Sequence, residues 1–161
     1  MPQPHDPFAP HDHSLCTRRA LQAAVDQVGE TGARLTPVRR RTLEILLESH
    51  RAMGAYEVLE RLAAEGFGKQ PPVAYRALEF LVDQGLAHRV QRLNAFAACL
   101  SPGRDHAPAF LICRACNRVA ESDAPQVRAA LSDTAAAQGF SVERTTIEAL
   151  GLCSACEGAA P

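Results

Sequence analysis

Four of the six cysteines in this chain stand in two C-x-x-C pairs, Cys113 with Cys116 and Cys153 with Cys156. No other feature limits the fold as much. Thiolates are soft ligands, and four of them suit tetrahedral zinc. A two-residue gap lets both sulfurs of one pair reach a single ion. The chain between the pairs must then double back to bring the second to the first. In a reducing compartment such pairs favour metal over disulfides or a redox couple, the rival readings. Four thiolates leave Zn²⁺ no open coordination position, so the site is expected to be structural. It would staple a unit of about 55 residues, small for an independent core.

Upstream, the apolar pattern divides the chain into elements. Residues 1–13 mix Pro, His and Asp without periodicity and read as a disordered tail, whose His5, His11 and His13 could hold metal only loosely. Ser14 is placed to cap a helix carrying Leu21, Val25 and Val28, with Gly29 and Gly32 at its end. Thr36-Pro37 starts a second helix that buries Val38, Thr42, Ile45 and Leu46. A third, about Ala55 to Gly66, turns Val58, Leu59 and Leu62 inward. Pro71-Pro72 opens a fourth, with Ala74, Leu78, Leu81 and Val82 inward and Tyr75, Arg76, Glu79 and Asp83 outward. After Gly85 the period changes to two. Leu86, His88 and Val90 alternate, and Asn94 turns a hairpin into Ala95, Ala97 and Cys99.

That order predicts a winged helix-turn-helix domain over residues 14–99. A hinge over 100–106 contains Ser101-Pro102-Gly103-Arg104-Asp105. Residues 107–161 form the zinc-stapled unit. In it Phe110 to Cys113 is extended, and a return strand begins near Val119. A helix from Asp123 and Pro125 carries Val127, Leu131 and Ala135 up to Gly139, and Phe140 to Ala149 is β-like. The fold class is therefore α+β: an N-terminal winged helix-turn-helix domain plus a small C-terminal α/β domain with a four-cysteine zinc site.

Charge gives little direction. The net charge is −1, although residues 34–92 hold ten Lys and Arg against seven Asp and Glu, and residues 100–161 hold five against seven. The DNA-reading candidates are Tyr75 and Arg76 on the fourth helix and Tyr56 at the start of the third. An Arg on a groove-facing helix can bond base edges or phosphate, and Tyr can meet phosphate or a thymine methyl. Arg39, Arg40 and Arg41 are the densest basic run, but consecutive helical residues point to different faces. No apolar run approaches the roughly 20 residues of a membrane span, and the N-terminus lacks secretory-signal character, so a cytoplasmic protein is expected. A second group, His88, Cys99, His106 and Glu121, has irregular spacing. Spacing alone leaves open whether these are ligands or, respectively, a half-buried wing residue, a small core residue, a loop residue and a solvated strand end. Cys16 reads as a thiol of the first helix.

The segments Leu35-Thr36-Pro37-x-Arg39, Ala55-Tyr56, Pro71-Pro72-x-x-Tyr75-Arg76-Ala77-Leu78 and Phe110-x-Ile112-Cys113-x-x-Cys116 together resemble the ferric-uptake-regulator superfamily over nearly the whole chain. Tyr75-Arg76-Ala77-Leu78-Glu79-Phe80-Leu81 and Ile147-Glu148-Ala149-x-Gly151-Leu152-Cys153-x-x-Cys156 are similar to its zinc-sensing members. The resemblance implies that His88, Cys99, His106 and Glu121 bind a regulatory zinc, giving two zinc ions per chain. It also implies a homodimer that binds a double-stranded DNA operator and represses zinc-import genes. The chain has Arg104-Asp105-His106 where iron sensors of the superfamily carry a His-rich run, and a thiol at Cys99. Both oppose the alternative of an iron- or peroxide-responsive regulator. Val73-Ala74 stands where relatives commonly carry a hydroxyl residue, and Leu150 where many carry a His. A rival of another class is a zinc-ribbon redox or zinc-storage module, which the Tyr75-Arg76 face opposes. No nucleophile–base set is visible, so neither an enzyme nor a small-molecule substrate is expected.

Overall fold

The computed structural model describes residues 7–9, 12–104 and 106–159. Residues 1–6, 10 and 11 of the expected tail, with His5 and His11, lie outside them. His13 already belongs to the first helix, α1 (His13–Thr31). Its cap is Asp12 rather than Ser14: the Asp12 carboxylate accepts from the Ser14 N–H at 3.0 Å. Gly29 lies inside α1, and Gly32 alone ends it, in the left-handed conformation at φ 69°.

Three further helices follow, α2 (Pro37–Leu47), α3 (Ala55–Ala64) and α4 (Pro71–Asp83). Pro37 and Pro71 occupy the first helical position, where no N–H is needed. Thr36 takes the cap position of α2 without a side-chain capping bond. At α3 the cap residue is Gly54, whose N–H donates to the Glu57 carboxylate at 2.8 Å. The helices bury Thr42, Leu43, Ile45, Leu46, Val58, Leu62, Leu78 and Leu81 in one core. Val38 and Val82, expected inside, reach only partial burial at its margin.

Strands β1 (Ala87–Val90) and β2 (Ala95–Ala98) form an antiparallel hairpin. A 3-10 turn over Gln91–Leu93 joins them, and Asn94 completes it at φ 46°. Helices followed by this hairpin make the expected winged helix-turn-helix. The register opposes His88 to Ala97, so His88 and Cys99, two residues beyond Ala97, share one face of the hairpin.

The rest of the chain folds on a three-stranded sheet, β3 (Pro108–Cys113), β4 (Val119–Asp123) and β5 (Ile147–Gly151), in the order β4-β3-β5. β3 pairs antiparallel with β4 and parallel with β5. Helix α5 (Pro125–Ala137) makes the return, and a short α6 (Ser154–Glu157) ends the described chain. The β-like stretch expected from Phe140 shrinks to β5. Residues 141–146 have no strand neighbour among the described residues, and β propensity without a pairing partner is weak. The apolar stripe of α5 also differs from a core stripe: Val127 is 51% and Leu131 45% exposed, with Phe140 at 65%. An apolar face this open marks a surface that something else covers.

The hairpin and the sheet pack on each other. Val90 of β1 shares a second buried cluster with Phe110, Ile112 and Val119 of the sheet. The Val119 N–H donates to the His50 carbonyl at 2.9 Å, and Arg51 bridges to Arg118. Burying such side chains stabilises contact by roughly 1.5–3 kcal/mol each, so the two parts hold together over more than a linker.

Candidate metal centres and nucleic-acid interface

The first centre is built from two turns at one end of the sheet. β3 ends on Cys113, and its chain reverses through Cys116 and Asn117, which accepts a left-handed φ of 58°. The Asn117 N–H donates to the Cys113 carbonyl at 2.9 Å and the Cys113 N–H to the Arg118 carbonyl at 3.0 Å. β5 runs parallel to β3 and ends beside it, delivering Cys153. The Cys153 N–H donates to Cys113 Sγ at 3.4 Å, and Cys116 and Cys153 Sγ are 3.9 Å apart. All four sulfurs, with those of Cys113 and Cys153 on buried residues, lie within 4.8 Å of one another. Backbone N–H groups of Cys153 and Cys116 hold the Cys113 thiol down at about 6. Hydrogen bonds with Cys153 and Cys113 push Cys156 up to about 12. One thiolate therefore resists a second beside it, and several coexist only around a cation. The donor set fits zinc.

The second centre joins the hairpin to the sheet. β1 supplies His88, the end of β2 supplies Cys99, the approach to β3 supplies His106 and β4 supplies Glu121. One ligand atom from each lies within 4.8 Å of the others. Glu121 Oε1 is 2.6 Å from His106 Nε2 and 3.3 Å from His88 Nε2. Cys99 Sγ is 3.7 Å from His106 Nε2 and 3.8 Å from Glu121 Oε1. Surrounding groups aim this set. His106 Nδ1 bonds the Arg104 carbonyl at 2.7 Å, which leaves Nε2 to face the cluster. Glu121 Oε2 accepts the Leu100 N–H at 3.1 Å.

His88 Nε2 is buried without a hydrogen-bond partner, an arrangement that is costly unless a ligand completes it. Burial, together with the Glu121 charge, pushes the Cys99 thiol up to about 12. Burial works to raise Glu121 as well, yet His88, the Leu100 N–H and His106 outweigh it and keep the carboxyl below its usual range. Burial likewise opposes charge on His106, but the Arg104 carbonyl and Glu121 prevail and raise it. Two imidazoles, a thiolate and a carboxylate would balance one divalent cation. The set fits zinc, and the sulfur disfavours harder ions.

Tyr56, Tyr75 and Arg76 are all exposed on the helical part, and the two tyrosine rings meet edge-on with centroids 6.4 Å apart. They form one face at the start of α3 and on α4. The Arg39–Arg41 run divides as helical geometry requires. Arg41 is taken up by Glu44, Glu48 and Glu65, Arg40 pairs with Glu44, and Arg39 stacks 3.7 Å from the Phe80 ring centroid. The Arg104 carbonyl and Leu100 N–H, which orient ligands here, carry no side-chain signal, and sequence reasoning missed them. It also gave no role to Glu148, whose motif it did single out.

Residues 30–150 match the model of the ferric uptake regulator family, and the chain belongs to that family. Its relatives include the zinc uptake regulation protein of Escherichia coli (strain K12), 36% identical over 141 residues, which span 87% of this chain and 82% of the relative. Among solved structures it is similar to a zinc uptake regulator complexed with zinc and DNA, with a TM-score of 0.84 at 34% identity, covering 89% of this chain and 96% of that one. Holo XcZur superposes with a TM-score of 0.77 at 34% identity over 91% of this chain and 99% of that one. Apo XcZur reaches only 0.51 at 35% identity, over 88% and 97%. At nearly equal sequence identity, the holo structure thus superposes on this chain more fully than the apo structure does.

Proposed function

We propose that this chain is a zinc-responsive, DNA-binding transcriptional repressor, not an enzyme, that acts in the cytoplasm as a homodimer on zinc-uptake genes. The observation that carries this reading is the second centre, whose ligands come half from the hairpin and half from the sheet. Among the described residues no helix is long and apolar enough to cross a membrane. The exposed Val127, Leu131 and Phe140 are the surface for the second copy. The chain divides into a winged-helix domain up to Cys99, a hinge over 100–106 and a dimerisation domain from residue 107. Each chain holds two zinc ions: a structural one on Cys113, Cys116, Cys153 and Cys156, and a regulatory one on His88, Cys99, His106 and Glu121.

Bound zinc supplies a charge that these four groups share in only one arrangement of hairpin and sheet. His88 and Cys99 thereby fix the winged helix, and His106 and Glu121 fix the dimerisation domain. In a dimer this sets the separation of two recognition helices, which must enter successive major grooves. Tyr56, Tyr75 and Arg76 make the DNA contacts. The control is a shift between arrangements that bind zinc with different affinity.

The test is to select duplexes from a random DNA library with zinc-loaded protein, then measure their binding with and without a zinc chelator. Binding that falls on chelation and returns with zinc is expected. Arg76→Ala should lose about 1–3 kcal/mol of affinity with zinc content unchanged. Binding indifferent to zinc would remove the switch.

A further inference from the structure

Three residues stand in one row across the sheet. The register places Glu121 of β4 opposite Phe110 of β3, and Phe110 opposite Glu148 of β5. Residues paired in this way point to the same face, here the face that meets the hairpin. Glu121 belongs to the second metal centre. Phe110 lies in the buried seam with Val90, and its ring centroid is 5.3 Å from that of His88. Glu148 completes the row, roughly 10 Å from Glu121 at two strand spacings.

The Glu148 carboxylate grips the hairpin directly. The Gln91 N–H donates to Oε1 at 2.6 Å and the Arg92 N–H to Oε2 at 2.9 Å. These two amides open the 3-10 turn at the tip of the hairpin. Both oxygens are used and both donors are main-chain, so the bond pair holds the path of the turn itself rather than a mobile side chain. Hydrogen bonds to a carboxylate are also stronger than neutral ones.

The two carboxylates of the row thus meet the hairpin at two places: Glu121 lies 3.3 Å from His88 of β1, and Glu148 holds the turn that follows β1. β1 carries His88 in the metal centre, and Gln91 three residues on is held by Glu148. A body attached at a single cluster can still pivot about it. A second attachment, with Phe110 packed between the two, removes the pivot and sets the angle of the wing against the sheet.

We propose that Glu148 is a positioning residue that latches the wing to the dimerisation sheet, so that ligand binding at His88 and Glu121 is converted into one wing orientation on DNA. The proposal rests on the repressor reading above. Without the latch, zinc would still draw the two domains together, but the hairpin and helices would sample a range of tilts. Zinc would then improve DNA binding by a smaller factor. By reciprocity, DNA would improve zinc binding by that same smaller factor.

The experiment compares wild type, Glu148→Ala and Glu148→Gln as full-length protein on the duplexes selected above. Three quantities are read: the ratio of DNA affinities with and without zinc, hydrogen exchange at the Gln91 and Arg92 amides, and the zinc retained after mild chelation. Glu148→Ala is expected to lower the affinity ratio about tenfold, consistent with losing two charge-assisted bonds that are partly exposed. Exchange at the two amides should accelerate, while the chelation-resistant zinc and the dimer remain. Glu148→Gln keeps an acceptor oxygen and should recover part of the ratio. A wild type that switches beside a Glu148→Ala protein that switches equally overturns the latch alone, even if the amides exchange faster. A Glu148→Ala protein that loses its dimer or its chelation-resistant zinc shows a merely structural residue and also overturns it. A wild type that binds DNA equally with and without zinc overturns the repressor reading, and the latch with it.

Discussion

The four-cysteine centre takes its ligands from two turns at one end of a single sheet, whereas the mixed centre takes His88 and Cys99 from the hairpin and His106 and Glu121 from the sheet side. The chemistry available to each follows from that placement. On the proposed assignment, four thiolates would close a coordination sphere inside one small unit, and metal binding there would add directly to folding free energy. At the mixed centre one half of the donor set belongs to the hairpin and the other to the sheet side, so metal binding there would add to the contact between them. The same ion would act as a staple in one place and as a coupling element in the other. With one thiolate against four, the mixed centre is expected to be the weaker of the two.

The strongest challenge to this contrast is Cys113→Ser. The Cys113 sulfur accepts the Cys153 N–H and stands at the end of β3, so its loss should break the first centre and unfold the dimerisation domain. Structural zinc in small domains contributes on the order of 10 kcal/mol or more. Far-ultraviolet circular dichroism and sedimentation should show lost sheet structure and lost dimer. A folded dimeric Cys113→Ser protein would put the staple elsewhere.

Cys99→Ser should have a smaller and different effect. A neutral hydroxyl replaces the thiolate, and zinc affinity at the mixed centre should fall on the order of a hundredfold or more, beyond the effect of losing an outer-shell partner. Sedimentation and the chelation-resistant zinc should match wild type. Isothermal titration with zinc separates the two centres. Unfolding of Cys99→Ser on the scale of Cys113→Ser would erase the distinction.

The smallest effect concerns pH. Burial and Glu121 push the Cys99 thiol up to about 12, so near neutrality it must release a proton when it binds zinc. Zinc affinity at the mixed centre should therefore rise about tenfold per pH unit for each proton displaced. The dependence should steepen toward acid pH. There His106, raised by the Arg104 carbonyl and Glu121 against its burial, also holds a proton that zinc must displace. Glu121, held low by His88 and its neighbours against its burial, stays ionised and adds no slope in that range. Competition with a chromophoric chelator over about two pH units around neutrality reads this slope. A flat profile would mean that Cys99 is not a ligand.

Much of this protein was legible as local pattern. The paired C-x-x-C spacing is a property of one turn, and Cys113, Cys116, Cys153 and Cys156 meet as that spacing requires. Proline at the first helical position marks the starts of α2 and α4, and the inward stripe of α4 follows its period through Ala74, Leu78 and Leu81. The shift to period two after Gly85 marks the hairpin. These signals act over distances that a few residues of chain can span.

What escaped that reading depends on contacts between segments far apart. The Asp12 cap displaced Ser14 because the carboxylate reached the Ser14 N–H, a choice among neighbouring polar residues that composition does not rank. The α5 stripe of Val127 and Leu131 has helical spacing whether a sheet or a second chain covers it, so periodicity alone was silent about its exposure. His88, Cys99, His106 and Glu121 have no regular spacing because separate strands and loops supply them, and resemblance to a family, not periodicity, first grouped them. Glu148 is 57 residues from Gln91, and only the register of β5 beside Phe110 turns its carboxylate toward the wing. The sequence by itself determined most of the elements and the meeting of the four cysteines, since both arise from interactions along short stretches of chain. The tertiary structure decided which side chains of the hairpin and sheet face one another, since that depends on strand order and register across the whole molecule.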